Sequence, residues 1–145
     1  MRLEIVSLDD AENWTAADLM MQWGQAEGAI PPDRSSLTGT EDAVFAYADT
    51  QAGGDFIVGC AVFYRPDGHD MIFLDILYVA ENMRRRGIGR ALIEAVFDQA
   101  RKLGVAKVEF GTKIDNTSMQ ALGRRCGFAN DAIFMSRRFA EEKRH

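Results

Sequence analysis

Between an apolar run that ends at Val79 and a helical pattern that begins near Ile88 stands Ala80-Glu81-Asn82-Met83-Arg84-Arg85-Arg86-Gly87-Ile88-Gly89. Its residue types suit the holding of an anion. Arg84, Arg85, Arg86 and Arg90 crowd around Gly87 and Gly89. The first turn of a helix leaves backbone N–H groups without intrahelical acceptors, and the macrodipole places partial positive charge there. Glycines remove the Cβ atoms that would keep a ligand from those groups, and the arginines add charge that pairs with phosphate oxygens. A diphosphate is the natural guest. A second residue able to do chemistry is Asp75, which interrupts the apolar run Met71–Val79. A carboxylate in such a run costs several kcal/mol unless it is paired or used. His69, beside Asp67 and Asp70 in a polar turn, lacks a metal-ligand set, so no metal is expected.

The elements that must position these residues are legible from periodicity. Residues 3–7 read as a strand, and Asp9 or Asp10 can cap a helix over 11–25, with Trp14, Ala17, Leu19 and Met21 facing inward and Gly24 and Gly28 ending or weakening it. Residues 27–40 are turn-rich and are expected to form an irregular loop on the active-site side. Strands are expected at 43–48 and 56–64, joined by a polar hairpin connection over 49–55, and at 71–79 after the turn 66–70. Ile88, Leu92, Val96, Ala100 and Leu103 recur at helical spacing, with Gly104 as the stop. Residues 105–110 return to strand alternation. Thr117 with Gln120 has the spacing of a capping box, Met119 and Leu122 face inward, and Gly127 ends that helix. A last strand is expected at 133–139, followed by a charged tail over 141–145. The order implies an α+β fold with a mixed sheet, in which the strand–helix–strand unit at 71–110 must be parallel.

Composition bounds the function. The chain has 145 residues, 47% hydrophobic and 27% charged, as expected of a single soluble domain over 1–145 with a real core. No apolar stretch reads as a membrane span, and the N-terminal residues lack the pattern of a signal peptide, so the expected setting is the cytoplasm, without a membrane partner. Cys60 and Cys126 have no disulfide or zinc spacing and are expected to be buried thiols. The net charge of −5 argues against nucleic acid as a partner. That average conceals a division. Residues 1–83 hold 3 Lys+Arg against 15 Asp+Glu, and residues 84–145 hold 14 against 7.

Known phosphate loops test the glycine spacing. A P-loop requires a Lys-Ser or Lys-Thr pair, which the chain lacks. The dinucleotide fingerprint starts with Gly87-Ile88-Gly89, but Leu92 occupies its third glycine position. Arg84-Arg85-Arg86-Gly87-Ile88-Gly89 instead resembles the Gln/Arg-x-x-Gly-x-Gly/Ala signature of the GNAT superfamily of N-acetyltransferases. Leu77-Tyr78-Val79 resembles the end of that family's fourth strand, Ala91-Leu92 its helix continuation, and Asn116 with Gly127-Phe128 its C-terminal motif. The resemblance is close over 71–128. Over the first 70 residues it extends only to the order of elements.

The resemblance implies a mixed, mostly antiparallel sheet whose fourth and fifth strands, here 71–79 and 105–111, splay to hold acetyl-coenzyme A as co-substrate. It assigns the pantetheine to the backbone around Leu77, Tyr78 and Val79. The pyrophosphate goes to the N–H groups of Arg84, Arg85, Arg86, Gly87, Ile88, Gly89 and Arg90, and the pantetheine or phosphate to Asn116, whose bland role would be a helix cap. Arg124 is a candidate for the adenosine end. An alkylammonium with a pKa of about 10.4 must lose a proton before it attacks a thioester. Asp75, read by alternation as sharing a face with Leu77 and Val79, is the candidate base, and the N–H of Val79 a candidate oxyanion donor. The family's usual tyrosine acid falls on Gly123, which leaves Tyr78, Cys126 or water. Glu27, Asp33, Glu41 and Asp42 around the irregular loop suggest a cationic amine acceptor, either a small molecule or a basic peptide end. Alternatives are a coenzyme A-binding regulatory module with little transfer, and dinucleotide binding through Gly87-Ile88-Gly89. Many relatives pair as dimers, which raises a homodimer as a partner without locating an interface.

Overall fold

The computed structural model describes residues 1–49 and 55–139. Most of the expected hairpin connection after residue 49, and the charged tail over 141–145, lie outside the described residues. The strands are β1 (Arg2–Ser7), β2 (Asp42–Asp49), β3 (Asp55–Tyr64), β4 (Met71–Val79) and β5 (Lys107–Glu109), and the helices are α1 (Ala11–Ala26), α2 (Ile88–Leu103) and α3 (Thr117–Arg125). The sheet order is β1-β2-β3-β4-β5. Every neighbouring pair is antiparallel except β4–β5, whose connection through α2 permits parallel pairing.

Alternation along the central strands feeds two apolar layers. On one face Phe45, Val62, Ile76 and Tyr78 pack with Ala17, Met20 and Met21 of α1. On the other, Val44, Val58, Ile72 and Leu74 pack with Leu92, Ile93 and Val96 of α2. Val44 and Phe45 are neighbours in sequence and are fully buried on opposite faces, as period-2 geometry requires. The strongly amphipathic helix is therefore clamped to the middle of the sheet, and its first turn sits beyond the end of β4.

Several expectations are corrected. Asp10 is the cap of α1, its side chain accepting from the N–H of Asn13 at 3.0 Å. Leu19 stays exposed and Met20 takes the inward place. Gly24 lies inside α1 rather than ending it. A Cβ there would stand 2.4 Å from Ile30 Cδ1, so the absent side chain admits the loop against the helix. The capping box at Thr117 does not form. Asn116 caps α3, accepting from the N–H of Met119 at 3.1 Å, while the Gln120 amide donates to the carbonyls of Lys113 and Ile114. β5 is shorter than the expected 105–110, and residues 133–139 form no strand. The short β5 gives a further strand few ladder positions, and Asp131 is already tied to Lys107 at its start, N···O 3.0 Å. Ile133, Phe134 and Met135 are 87%, 93% and 92% exposed.

Candidate active site

β4 carries the site because it has two different neighbours. The N–H of Ala80 donates to the carbonyl of Val58 at 2.8 Å, which makes 58 and 80 a hydrogen-bonded pair of the antiparallel ladder. Such pairs alternate, and the register Cys60↔Tyr78 and Val62↔Ile76 continues them. The backbone groups of Leu77 and Val79 consequently point away from β3. On that side β5 pairs with β4 only from Met71 to Phe73. Leu77 and Val79 thus present an edge without a partner strand to the gap that opens between β4 and β5. Tyr78 differs from its neighbours. Its backbone faces β3, and its side chain enters the α1 layer.

Asp75 occupies a bulge. The register passes from Val62↔Ile76 to Phe63↔Leu74 and leaves Asp75 with no opposing residue. Alternation is broken there. Ile72 and Leu74 before the bulge, and Leu77 and Val79 after it, border the α2 layer, whereas Asp75 meets Arg34 of the loop that packs on the α1 side. The expectation that Asp75 shares a face with Leu77 and Val79 is corrected, since the inserted residue shifts the parity of the strand. Burial pushes the Asp75 carboxyl above the usual carboxylate range, with the Arg34 guanidinium opposing that shift and Glu41 reinforcing it.

Beyond β4 a short 3-10 turn, Glu81–Met83, leads into the arginine loop. Arg85 has φ 65° and Gly87 φ 80°, so the chain visits the left-handed region twice within three residues. The first helical bond of α2 runs from the N–H of Ala91 to the carbonyl of Gly87, at 3.0 Å. Among the described residues, the N–H groups of Arg85, Arg86, Gly87, Ile88, Gly89 and Arg90 donate to no backbone carbonyl. Gly89 lies where a Cβ would be 3.3 Å from Leu122 and about 4 Å from Val79 and Leu77, so the loop, β4 and α3 converge at that point.

Arg84 plays a different part from its neighbours. Its Nε donates to the carbonyl of Val79 at 2.9 Å, and its guanidinium pairs with Glu27 at 2.7 Å. The Tyr78 hydroxyl donates to the other oxygen of Glu27. The bond from Tyr78, outweighing the effect of burial and aided by Arg84, holds Glu27 below the usual carboxylate range. Burial, together with Glu27, pushes Tyr78 up to about 12. The hydroxyl is thus committed to Glu27, and a phenol so held is a weaker acid than a free one. Burial also raises Cys126. Glu27 and Glu41 are not free to attract an acceptor. The first anchors Tyr78 and Arg84, and the second is buried and accepts from the N–H of Thr38 at 3.1 Å and of Gly39 at 2.9 Å.

Opposite β4, Asn116 uses its Oδ1 to cap α3, which leaves its amide NH2 as the group available to a ligand. Gly123 is buried against an aromatic cluster. A Cβ there would lie 2.7 Å from Phe110 Cζ, and Phe110 meets Phe128 edge-on at 4.6 Å. A side chain at 123 would have to displace the Phe110 ring. Arg124 is exposed on α3. Arg34 and the anchoring role of Glu27 escaped the sequence reading. The signal for Arg34 was its charge, since it is one of three basic residues in the first 83.

Residues 8–128 match the family model described as the acetyltransferase (GNAT) family. The chain belongs to the GNAT acetyltransferase family. Its GNAT relatives include an aminoglycoside N(6')-acetyltransferase type 1 of Serratia marcescens, 31% identical over 91 residues, covering 63% of this chain and 58% of that protein. The chain thus spans less than two thirds of that relative's length. The GNAT fold is shared with a ribosomal-protein-alanine N-acetyltransferase of Brucella melitensis, at TM-score 0.70 and 21% identity, covering 95% of this chain and 99% of that one. An aminoglycoside N-acetyltransferase, AAC(6')-Iy, solved in complex with CoA, aligns at TM-score 0.62 and 23% identity, covering 94% and 99%. Among the described residues, no helix is long and apolar enough to cross a membrane.

Proposed function

We propose that this protein, read as one domain over 1–145, transfers an acetyl group from acetyl-coenzyme A to a primary amine of a small cationic molecule, by direct attack in a ternary complex. The observation that carries this is the continuity of the β4 edge at Leu77 and Val79, which has no partner strand there, with the unpaired amides of residues 85–90. An extended, amide-bearing arm with a diphosphate at one end fits both. Bound there, acetyl-coenzyme A would supply the thioester that donates the acyl group. The N–H and carbonyl of Leu77 and the N–H of Val79 would hold the arm and the acetyl oxygen, because the carbonyl of Val79 already accepts from Arg84. The loop amides with Arg85, Arg86 and Arg90 would hold the diphosphate, and the Asn116 amide the pantetheine.

Asp75 would take the proton from the acceptor ammonium. Its raised pKa narrows the gap to the amine, as an effective base requires. No side-chain acid is assigned. A thiol with a pKa near 8.5 is a tolerable leaving group, and the missing acid costs about 10²–10⁴-fold at most. The aminoglycoside N(6')-acetyltransferase relative supports an amine acceptor. Asp33, Asp42 and Asp75 remain as the acidic groups for a cationic one. Free thiols at Cys60 and Cys126 fit a reducing cytoplasm.

Release of free thiol from acetyl-coenzyme A, followed with polyamines, aminoglycosides, amino acids and basic peptides, tests the proposal. Faster turnover of neutral or acidic amino acids overturns the cationic acceptor. Asp75→Asn should lower kcat by at least about 10²-fold with coenzyme affinity retained, and an unchanged rate removes the base. The filled space at Gly123 favours a second reading, a coenzyme A-binding module with little transfer. Coenzyme binding without thiol release across the panel would select it.

A further inference from the structure

Residues 27–41 run from the end of α1 to β2 without regular structure, yet they are fastened on both sides of one short span. On the near side Glu27 holds Tyr78 and Arg84, and Ile30 is buried against Gly24. On the far side Leu37 is buried, its carbonyl accepts from the indole N–H of Trp14 at 3.0 Å, and Glu41 gathers the amides of Thr38 and Gly39. Between these anchors Pro31, Pro32, Asp33, Ser35 and Ser36 are exposed, and Arg34 is the residue that turns inward. Its guanidinium also donates to the carbonyl of Ser35, so it is braced by its own loop while it pairs with Asp75. Both side chains of the pair are mostly covered, 20% and 14% exposed.

An ion pair at this depth holds two charges that each lose hydration, so neither leaves without a replacement. A guanidinium also cannot serve as the substrate of Asp75, since it keeps its proton at any working pH, whereas an alkylammonium can surrender one. We propose that Arg34 occupies the acceptor's place as an internal cation, which a primary alkylammonium must displace from Asp75 before it can be acetylated. This rests on the reading of Asp75 as the base. The Gln25 amide donates to the carbonyl of Pro31 at 3.1 Å, and beyond that tie the span 32–36 is exposed apart from Arg34, so it can lift between its anchors. A neutral amine brings no charge to replace the guanidinium and is rejected, so the exchange itself selects cationic acceptors. While Arg34 is seated, it also keeps the carboxylate charged and ready. Arg34 is then a specificity-determining residue, outside the chemical step.

Calorimetric titration of coenzyme A-saturated protein with 1,4-diaminobutane tests the exchange. Arg34→Gln should tighten Kd about five-fold or more, because the internal competitor is gone, and Arg34→Lys, which keeps a cation without the planar fork, should fall between it and the wild type. In turnover, the acid limb of kcat/KM should move to higher pH in Arg34→Gln, since burial and Glu41 then act on Asp75 unopposed. Diamine binding that is unchanged or weaker in both variants overturns the proposal. Asp75→Asn separates the two ideas. Loss of turnover in that variant with no tightening in the Arg34 variants leaves the base and removes the exchange. Tightening in the Arg34 variants with normal turnover in Asp75→Asn does the reverse.

Discussion

At the scale of single residues, the site is governed by carboxylates whose partners differ. Glu27 is held below its ordinary pKa by Tyr78 and Arg84. A group with a depressed folded pKa contributes stability that is complete above its unfolded pKa and disappears as pH falls through the folded one. Glu27→Gln should therefore lower stability at neutral pH, and denaturant titrations should show the difference from wild type starting to shrink as pH falls below about 4. The same variant frees Arg84 from the end of α1, so the KM for acetyl-coenzyme A should rise by a few fold while kcat changes less. Gly123 makes the opposite point about a residue without a side chain. Gly123→Tyr, which would restore the family's usual acid, must displace Phe110 and should cost about 1–3 kcal/mol in urea unfolding without raising kcat.

At the scale of elements, the cleft arises from a mismatch of lengths. β4 has nine residues and β5 three, so most of one edge of β4 finds no partner within the sheet. The bulge at Asp75 turns the carboxylate toward the loop over 27–41 and leaves Leu77 and Val79 on the α2 side, so one strand presents different groups to its two faces. α3 closes the far side, and its start depends on Asn116. Asn116→Ala should cost about 0.5–2 kcal/mol in thermal or denaturant unfolding through the lost cap. If the amide also binds coenzyme, that variant will bind it more weakly. Asn116→Asp, which keeps the cap and removes the donor, should be as stable as the wild type and equally impaired in binding.

For the whole molecule, the division of charge acquires a spatial meaning. The basic half supplies the arginine loop and α3, and the acidic half supplies α1, β2 and the loop between them, a division that suits the proposed anionic co-substrate and cationic acceptor. The two halves meet at the end of β4, where Glu27 joins Arg84. Coenzyme A should accordingly stabilise the folded chain as a unit. At about 100 times its Kd the gain is near 2.7 kcal/mol, and a thermal scan should register it as a rise in Tm of several degrees. A Tm unaffected by coenzyme A, and raised by NAD, would return the arginine loop to dinucleotide binding.

Periodicity and glycine placement were enough to determine β4, α2 and the arginine loop between them, because a strand, an amphipathic helix and a left-handed turn are each specified by residues close in sequence. The sequence by itself also pointed to Asp75 as an anomaly in an apolar run, and to Asn116 as either a cap or a ligand group. Only the tertiary structure decided which way Asp75 faces, since a bulge depends on the partner strand and shifts parity without leaving a mark in the pattern. It alone joined Arg34 to Asp75 and Glu27 to Arg84, pairs separated by 41 and 57 residues, and it left residues 133–139 without the strand their composition favours. A strand is a property of two chains side by side, and local sequence specifies only one of them.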